Sequence, residues 1–344
     1  MKSFKNTILL IFFLCAAFNN LPGQNNETYA KVQILQEITQ ENFFDAIKTP
    51  QYTESLILTN PEEVKSFITN YSLFINLRVL QIISDNALDC DSVFPKLSKL
   101  IFLRINQSNL KRLPTSLEKI GNLQYLDFAG NFLTKMPLQL PNLKYLDMGD
   151  AMYGGNQISL LSDSINSLIK LEVLFLSLNP IESLPDGLSK LQNLKILILD
   201  QTNVSNLGTN FGNLSSLNEL SIAYTKIALL PAGLKKIKTL NSLNLLGLNV
   251  MNNSDNIAIL TSIVALNDLT ISVDKLQKLH ANFFSLQSLK RLNINDVLAL
   301  DFKILGKELK RMPALTVVFI NNAKLRPGEK TDFIEGLKPI EVIF

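Results

Sequence analysis

The stretch Leu171-Glu-Val-Leu174-Phe-Leu176-Ser-Leu-Asn179-Pro-Ile181 is one instance of an apolar spacing that returns along most of this chain at steps of roughly 24 residues. Counted from the first Leu of L-x-x-L-x-L-x-x-N-x-L, units begin at Thr53, Leu77, Leu100, Leu123, Leu143, Leu171, Leu194, Leu217, Leu240, Leu266, Leu289 and Leu315. A last stretch, Pro339-Ile-Glu-Val342-Ile-Phe344, repeats the spacing once more. A unit this short holds one strand and one return segment. It cannot enclose its own apolar side, so it is stable only when stacked on its neighbours. The pattern predicts an α/β repeat solenoid over residues 53–344, of about twelve units and a terminal strand.

Each apolar position has a physical task. In Leu194-Lys-Ile-Leu197-Ile-Leu199, the two Leu side chains one residue apart point to the same face of a strand and enter the core. Ile196, Ile198 and Asp200 point the other way, onto a parallel sheet that becomes the concave surface of a curved stack. The return half, as in Leu113-Pro114-Thr-Ser-Leu117-Glu-Lys-Ile120 and Leu230-Pro231-Ala-Gly-Leu234-Lys-Lys-Ile237, spaces its apolar residues three to four apart, which suits a short helical turn on the convex side. The Pro fixes φ and ends the extended run.

This spacing resembles the typical 23-residue class of the leucine-rich repeat family, with the L-P-x-x-L-x-x-L return segment common in bacterial members. The resemblance implies a curved horseshoe and a role in binding other macromolecules, without selecting a partner. The family's ninth-position Asn, whose side chain bridges adjacent loops, stands here only as Asn131 and Asn179. Ser108, Thr202, Thr225, Asp274, Val297 and Ala323 occupy it elsewhere, so the ladder is expected to be partial.

Outside the repeats, Lys2 and Lys5 precede an apolar run from Ile8 to Phe18, too short to span a bilayer and suited to a secretory signal over residues 1–23. Residues 24–52 read as an N-terminal helical cap, with Val32, Leu35, Ile38, Phe43, Phe44 and Ile47 at a mostly helical spacing and polar residues between. The formal net charge is +3, of which the leader supplies two, and such a balance gives no electrostatic footprint for nucleic acid. No other run is long enough to cross a membrane, and a monomer is expected. Without the leader Cys90 is the one cysteine, at a position where other units place Leu or Met, and reads as a buried, inert thiol.

No catalytic or metal-binding constellation is present: no C-x-x-C, G-x-S-x-G, phosphate loop or H-E-x-x-H. The single histidine, His280, falls where other units carry Pro114, Pro185 and Pro231, on the return turn. No cofactor is expected.

The informative surface is the concave face read across units. Its third-position column runs Phe102, Tyr125, Tyr145, Val173, Ile196 and Glu219; its fifth runs Arg104, Asp127, Asp147, Phe175, Ile198 and Ser221. Neighbouring strands lie about 4.8 Å apart, so equal positions touch. Phe102, Tyr125, Tyr145, Val173, Phe175, Ile196 and Ile198 are expected to form a contiguous apolar patch open to water, with Arg104, Asp127, Asp147 and Asp150 as its rim. Such patches mark binding surfaces, although strand propensity alone also favours these residues. An irregular stretch from Ala151 to Gln157 springs from the same units and predicts a protruding loop.

Asp127 and Asp147 raise two other chemistries. At about 5 Å apart they approach the spacing of a retaining glycosidase, and with Asp150 they suggest a calcium site. A flat, solvent-open sheet, however, would not desolvate one carboxyl enough to keep its proton. The sequence thus points to a secreted or surface-displayed, non-enzymatic protein that engages a protein partner through its concave face. A glycan-binding or structural adhesin role is the alternative.

Overall fold

One strand per counted unit builds a single open sheet. The computed structural model describes residues 41–344, except 138, 151, 274–278, 298, 299, 322 and 324. Fourteen parallel strands lie side by side in chain order. They are β1 (Glu41–Asn42), β2 (Ser55–Leu58), β3 (Val79–Ile82), β4 (Phe102–Arg104), β5 (Tyr125–Asp127), β6 (Tyr145–Asp147), β7 (Val173–Phe175), β8 (Ile196–Ile198), β9 (Glu219–Ser221), β10 (Ser242–Leu245), β11 (Asp268–Ser272), β12 (Arg291–Asn295), β13 (Val317–Ile320) and β14 (Glu341–Ile343). This is the curved leucine-rich repeat solenoid that the period implies. The sheet starts one strand before Thr53: Glu41 and Asn42 pair with Leu56 and Ile57, where the pattern predicted only helix. One helical turn follows, α1 (Phe43–Ala46), capped by the Asn42 side chain, which accepts from Asp45 N at 3.0 Å. The leader and residues 24–40 lie outside the described residues.

The residues assigned inward are inward. Leu197 and Leu199 are fully buried while Ile198 between them is partly open; the inward apolar positions stay buried from β2 to β13, whereas the concave-face positions range from partly open to buried. One continuous apolar core results, threading every unit. Most return segments are 3₁₀ turns, among them Leu117–Lys119, Asp186–Lys190 and Ala232–Lys236. They pack tightly: a Cβ on Gly187 would lie 2.1 Å from the Asp163 carbonyl oxygen, and one on Gly212 2.6 Å from that of Gly233. True helices replace the 3₁₀ turns in four units: α2 (Pro61–Asn70), α3 (Ser254–Thr261), α4 (Phe302–Leu309) and α5 (Pro327–Leu337). Their starts follow local chemistry, since Asn60, Asn253 and Asp301 each accept a hydrogen bond from the first turn's N–H groups.

Two ladders tie unit to unit. The inner one is more complete than the ninth-position count predicts. Asn156, displaced from the counted position by the irregular stretch, donates to the carbonyls of Phe128 (3.0 Å) and Met148 (2.7 Å) and accepts from Leu133 N (2.9 Å). Asn131, Asn156 and Asn179 therefore run unbroken through three consecutive units. The outer ladder sits just before the first Leu of each unit. Asn76, Asn122, Asn142 and Asn193 donate to the preceding unit's carbonyls at 2.6–2.8 Å. Thr239 and Ser288 do the same further along.

Candidate functional site

The register places the columns as expected. Phe102, Tyr125, Tyr145, Val173, Ile196 and Glu219 are successive partners across β4–β9, and so are Arg104, Asp127, Asp147, Phe175, Ile198 and Ser221. At strand spacing the rings must stack. Phe102 and Tyr125 have centroids 4.2 Å apart, Tyr125 and Tyr145 4.0 Å at 6° between planes, and Phe175 meets Tyr145 edge-on at 5.5 Å.

Stacking and the loop change the expected exposure. Phe102 retains 2%, Val173 4% and Ile196 7% of its surface, so these three form a floor instead of an open patch. What remains accessible is a strip of half-buried Tyr125, Tyr145, Phe175 and Ile198. The rim is corrected as well: Asp127 and Asp147 are each 1% exposed and lie under the surface, with Arg104 and Asp150 half-buried above them.

The buried charges are organised. Asp127 accepts from Arg104 Nε at 2.6 Å and from Ala129 N at 3.0 Å. Burial alone pulls the Arg104 guanidinium down, but the adjacent Asp127 carboxylate more than restores it, while burial raises the Asp127 carboxyl and Arg104 only partly offsets that. Arg104 also lies over the Phe102 ring and beside that of Tyr153. Asp147 accepts from Gly149 N at 2.9 Å. Burial, then the Asp127 and Asp150 carboxyls, hold the Asp147 carboxyl well above the ordinary carboxylate range. The expectation that this sheet could not desolvate a carboxyl was wrong, because the ring stack and the loop exclude water. A glycosidase pair does not follow. Asp127 is tied up by Arg104 and Ala129, and neither carboxyl opens on a cleft able to seat a sugar. Among the described residues no group of three or more His, Cys, Asp or Glu side chains is placed to hold a metal ion.

The stretch 150–157 is anchored instead of protruding. Asp150 accepts from the N–H groups of Met152 (2.8 Å) and Tyr153 (2.7 Å) and bridges to Gly154, whose carbonyl takes Gly130 N at 3.0 Å. Close approach demands glycine on both sides. A Cβ on Gly130 would sit 2.3 Å from the Tyr153 carbonyl oxygen, and one on Gly155 1.8 Å from that of Leu178. The loop thus locks onto the neighbouring units and covers the carboxyls.

Other sequence candidates are quiet. Cys90 is fully buried, and burial pushes its thiol up to about 12. His280 is exposed and accepts from Asn282 N at 3.2 Å, starting a 3₁₀ turn. Two features escaped the sequence reading. The eighth position of many units has positive φ: Gln107, Gly130, Leu178, Gln201, Tyr224, Gly247 and Asp296 lie between 48° and 76°. Only the glycines signalled it. The second is a polar half of the concave face, β9–β12. There Glu219, Ser242 and Asp268 follow Ile196 in one column, and Ser221, Thr270 and Asn293 share the other, all buried. Its signal was the change of residue type at Glu219.

Comparison with known proteins agrees with this geometry. A family model described as a leucine-rich repeat region matches residues 142–325. No curated protein matches the sequence. Among solved structures, a leucine-rich repeat protein of Leptospira interrogans is 18% identical with a TM-score of 0.55, over 89% of this chain and 100% of that one. The functional domain of InlJ from Listeria monocytogenes is 20% identical with a TM-score of 0.53, over 74% of this chain and 50% of that one. The TLR13–ssRNA13 complex gives 20% identity and a TM-score of 0.62, over 85% of this chain and 46% of that one. At these identities the likeness concerns the fold.

Proposed function

Because the chain belongs to the leucine-rich repeat family, we propose that it is an exported, non-enzymatic binding protein that holds a protein partner on the concave face of β4–β8. The observation that carries this reading is the strip of Tyr125, Tyr145, Phe175 and Ile198, rigidified by ring stacking and left half-open on a sheet face. Stacked, immobile aromatics lose little entropy on binding and are enriched at interface hot spots. The leader-like residues 1–23 are read as a secretory signal removed on export, and residues 24–52 as a cap. The carboxyl-rich concave columns disfavour a polyphosphate, and a monomer is the working state.

The test is capture with the full chain as bait, comparing Phe175→Ser/Ile198→Ser with the convex control Lys235→Glu/Lys236→Glu. Truncating an interface anchor costs about 2 kcal/mol or more, so the concave variant should lose at least tenfold in affinity. The convex variant should keep it. Capture lost only in the convex variant would move the site, and recovery of a carbohydrate would favour the hydroxyl- and amide-lined columns of β9–β12.

A further inference from the structure

Away from the concave face, two neighbouring turns leave a crevice. The turn that leads from α2 into β3 and the one that leads into β4 stand one unit apart, and a cavity of about 280 Å³ opens between them. Phe74, Leu77 and Leu97 are all buried and form its floor. Half-buried Tyr71 and exposed Ile75 stand at its mouth, where Ile75 keeps 61% of its surface open and neighbouring Leu73 47%. The small Ser72 and Ser98 leave the gap unfilled.

Two cations border it. Lys99 Nζ reaches back from the later turn to Asn76 Oδ1 at 2.6 Å, and Lys96 Nζ lies 5.0 Å from the centre of the Tyr71 ring. Both lysines therefore cross from one wall of the crevice to the other, on its solvent side. An ammonium carries three donors, and Lys99 has spent one of them on a neutral amide. Among the described residues no carboxylate forms an ion pair with either lysine. The preceding Asp91 is held instead by Thr115 and Ser116. An apolar recess thus adjoins positive charge that the fold leaves unneutralised, and its complement is an apolar group beside an anion.

Separately from the concave strip, we propose that this crevice is a second docking site, for an acidic protein segment that inserts one Leu or Phe side chain next to an Asp or Glu. The apolar side chain lies against Tyr71, Ile75 and Leu97, and its acidic neighbour meets Lys96 and Lys99. A basic neighbour is repelled. A recess of this size takes a single side chain, whereas a bilayer surface needs a broad apolar face, so a protein segment fits it better than a membrane.

Labelled fifteen-residue peptides of Gly and Ser test this by fluorescence anisotropy on the full chain, with Phe-Glu-Glu, Phe-Ser-Ser, Phe-Lys-Lys or Ser-Glu-Glu at their centre. The Phe-Glu-Glu peptide should bind about fivefold tighter than Phe-Ser-Ser, with Phe-Lys-Lys weaker still and Ser-Glu-Glu weakest. Molar salt should bring the three Phe peptides together. Lys96→Gln/Lys99→Gln should erase the Glu preference and keep Phe-dependent binding. Leu73→Ser/Ile75→Ser changes only exposed side chains and should lose about fivefold or more for every Phe peptide. The concave variant Phe175→Ser/Ile198→Ser should bind all four as the wild type does, so the two sites stand or fail separately. Equal affinity for the Glu and Lys peptides, a Glu preference that survives in the lysine variant, or binding lost in the concave variant instead of the Leu73/Ile75 one overturns the proposal. Absence of any peptide binding overturns it too, and sedimentation of the chain with phosphatidylglycerol vesicles that depends on Lys96 and Ile75 would then assign the crevice to a lipid surface.

Discussion

The concave face has an aromatic half, β4–β8, and a polar half, β9–β12, and the two hold neighbouring units together by different means. In the aromatic half each strand is three residues long and its rings stack, with Arg104 on Asp127 as a polar tie across the face, and further polar ties run behind the sheet through the Asn131–Asn156–Asn179 ladder. Beyond Asn179 this ladder lapses, from the β8 unit into the polar half: the Thr202 and Thr225 hydroxyls donate to carbonyls three residues back in their own units. The face side chains take over, with Arg291 on Asp268, Asn321 Nδ2 on Asn293 Oδ1 at 2.8 Å, and Gly247 N on Ser272 Oγ at 2.7 Å. Strands β10–β12 are also longer, at four to five residues. The loop ties leave Tyr125, Tyr145 and Phe175 to hold their units together by ring packing. Polar side chains that bond one another are already satisfied.

The largest expected effect tests whether the halves share one core. Leu174→Ala and Leu243→Ala remove fully or nearly fully buried side chains from the two halves, and each should cost about 2–5 kcal/mol in denaturant melts. A large loss at one site and a negligible one at the other would split the core in two. Next comes the loop lock. Gly155→Ala drives a Cβ into the Leu178 carbonyl and should cost about 2–3 kcal/mol. Gly121, which meets nothing within 4 Å, should tolerate Ala. Equal melting of the two variants would mean the loop yields freely.

The ladders give a smaller contrast. Asn156→Ala strands three buried backbone groups and should cost about 2 kcal/mol, against roughly 1 kcal/mol for Thr225→Ala, which loses one bond. Similar losses would erase the distinction between the halves. The finest effect is on pH. Because the Asp147 pKa is raised in the fold, its contribution to stability is fully present below the ordinary value of about 4 and is lost as pH rises through the folded value. Asp147→Asn does not titrate there, so its melting temperature should gain on wild type between pH 4 and pH 8. A pH-independent difference would show that Asp147 is not protonated in the fold.

Part of this was legible in the residues themselves. The two Leu of each strand, Leu197 and Leu199 for instance, sit inward as the alternation required, and the facing columns follow from equal position in each unit. Asn156 was missed because a count at fixed intervals lands on Ala151, whereas the insertion shifts the bridging role five residues on. The outer ladder of Asn76, Asn122, Asn142 and Asn193 was visible as a periodic Asn before the first Leu, and went unread because its bonds join units some 21–25 residues apart.

By itself, then, the sequence determined the repeat, the register and which side chains share a face, because those depend on backbone period and on alternation, both local properties. The tertiary structure decided exposure and protonation. Asp127 and Asp147 read as a solvated rim in one dimension, and they are buried because rings from three strands and a loop locked by Gly130 and Gly155 meet above them. Desolvation sums over everything near a group in space, and no spacing along one strand encodes that sum.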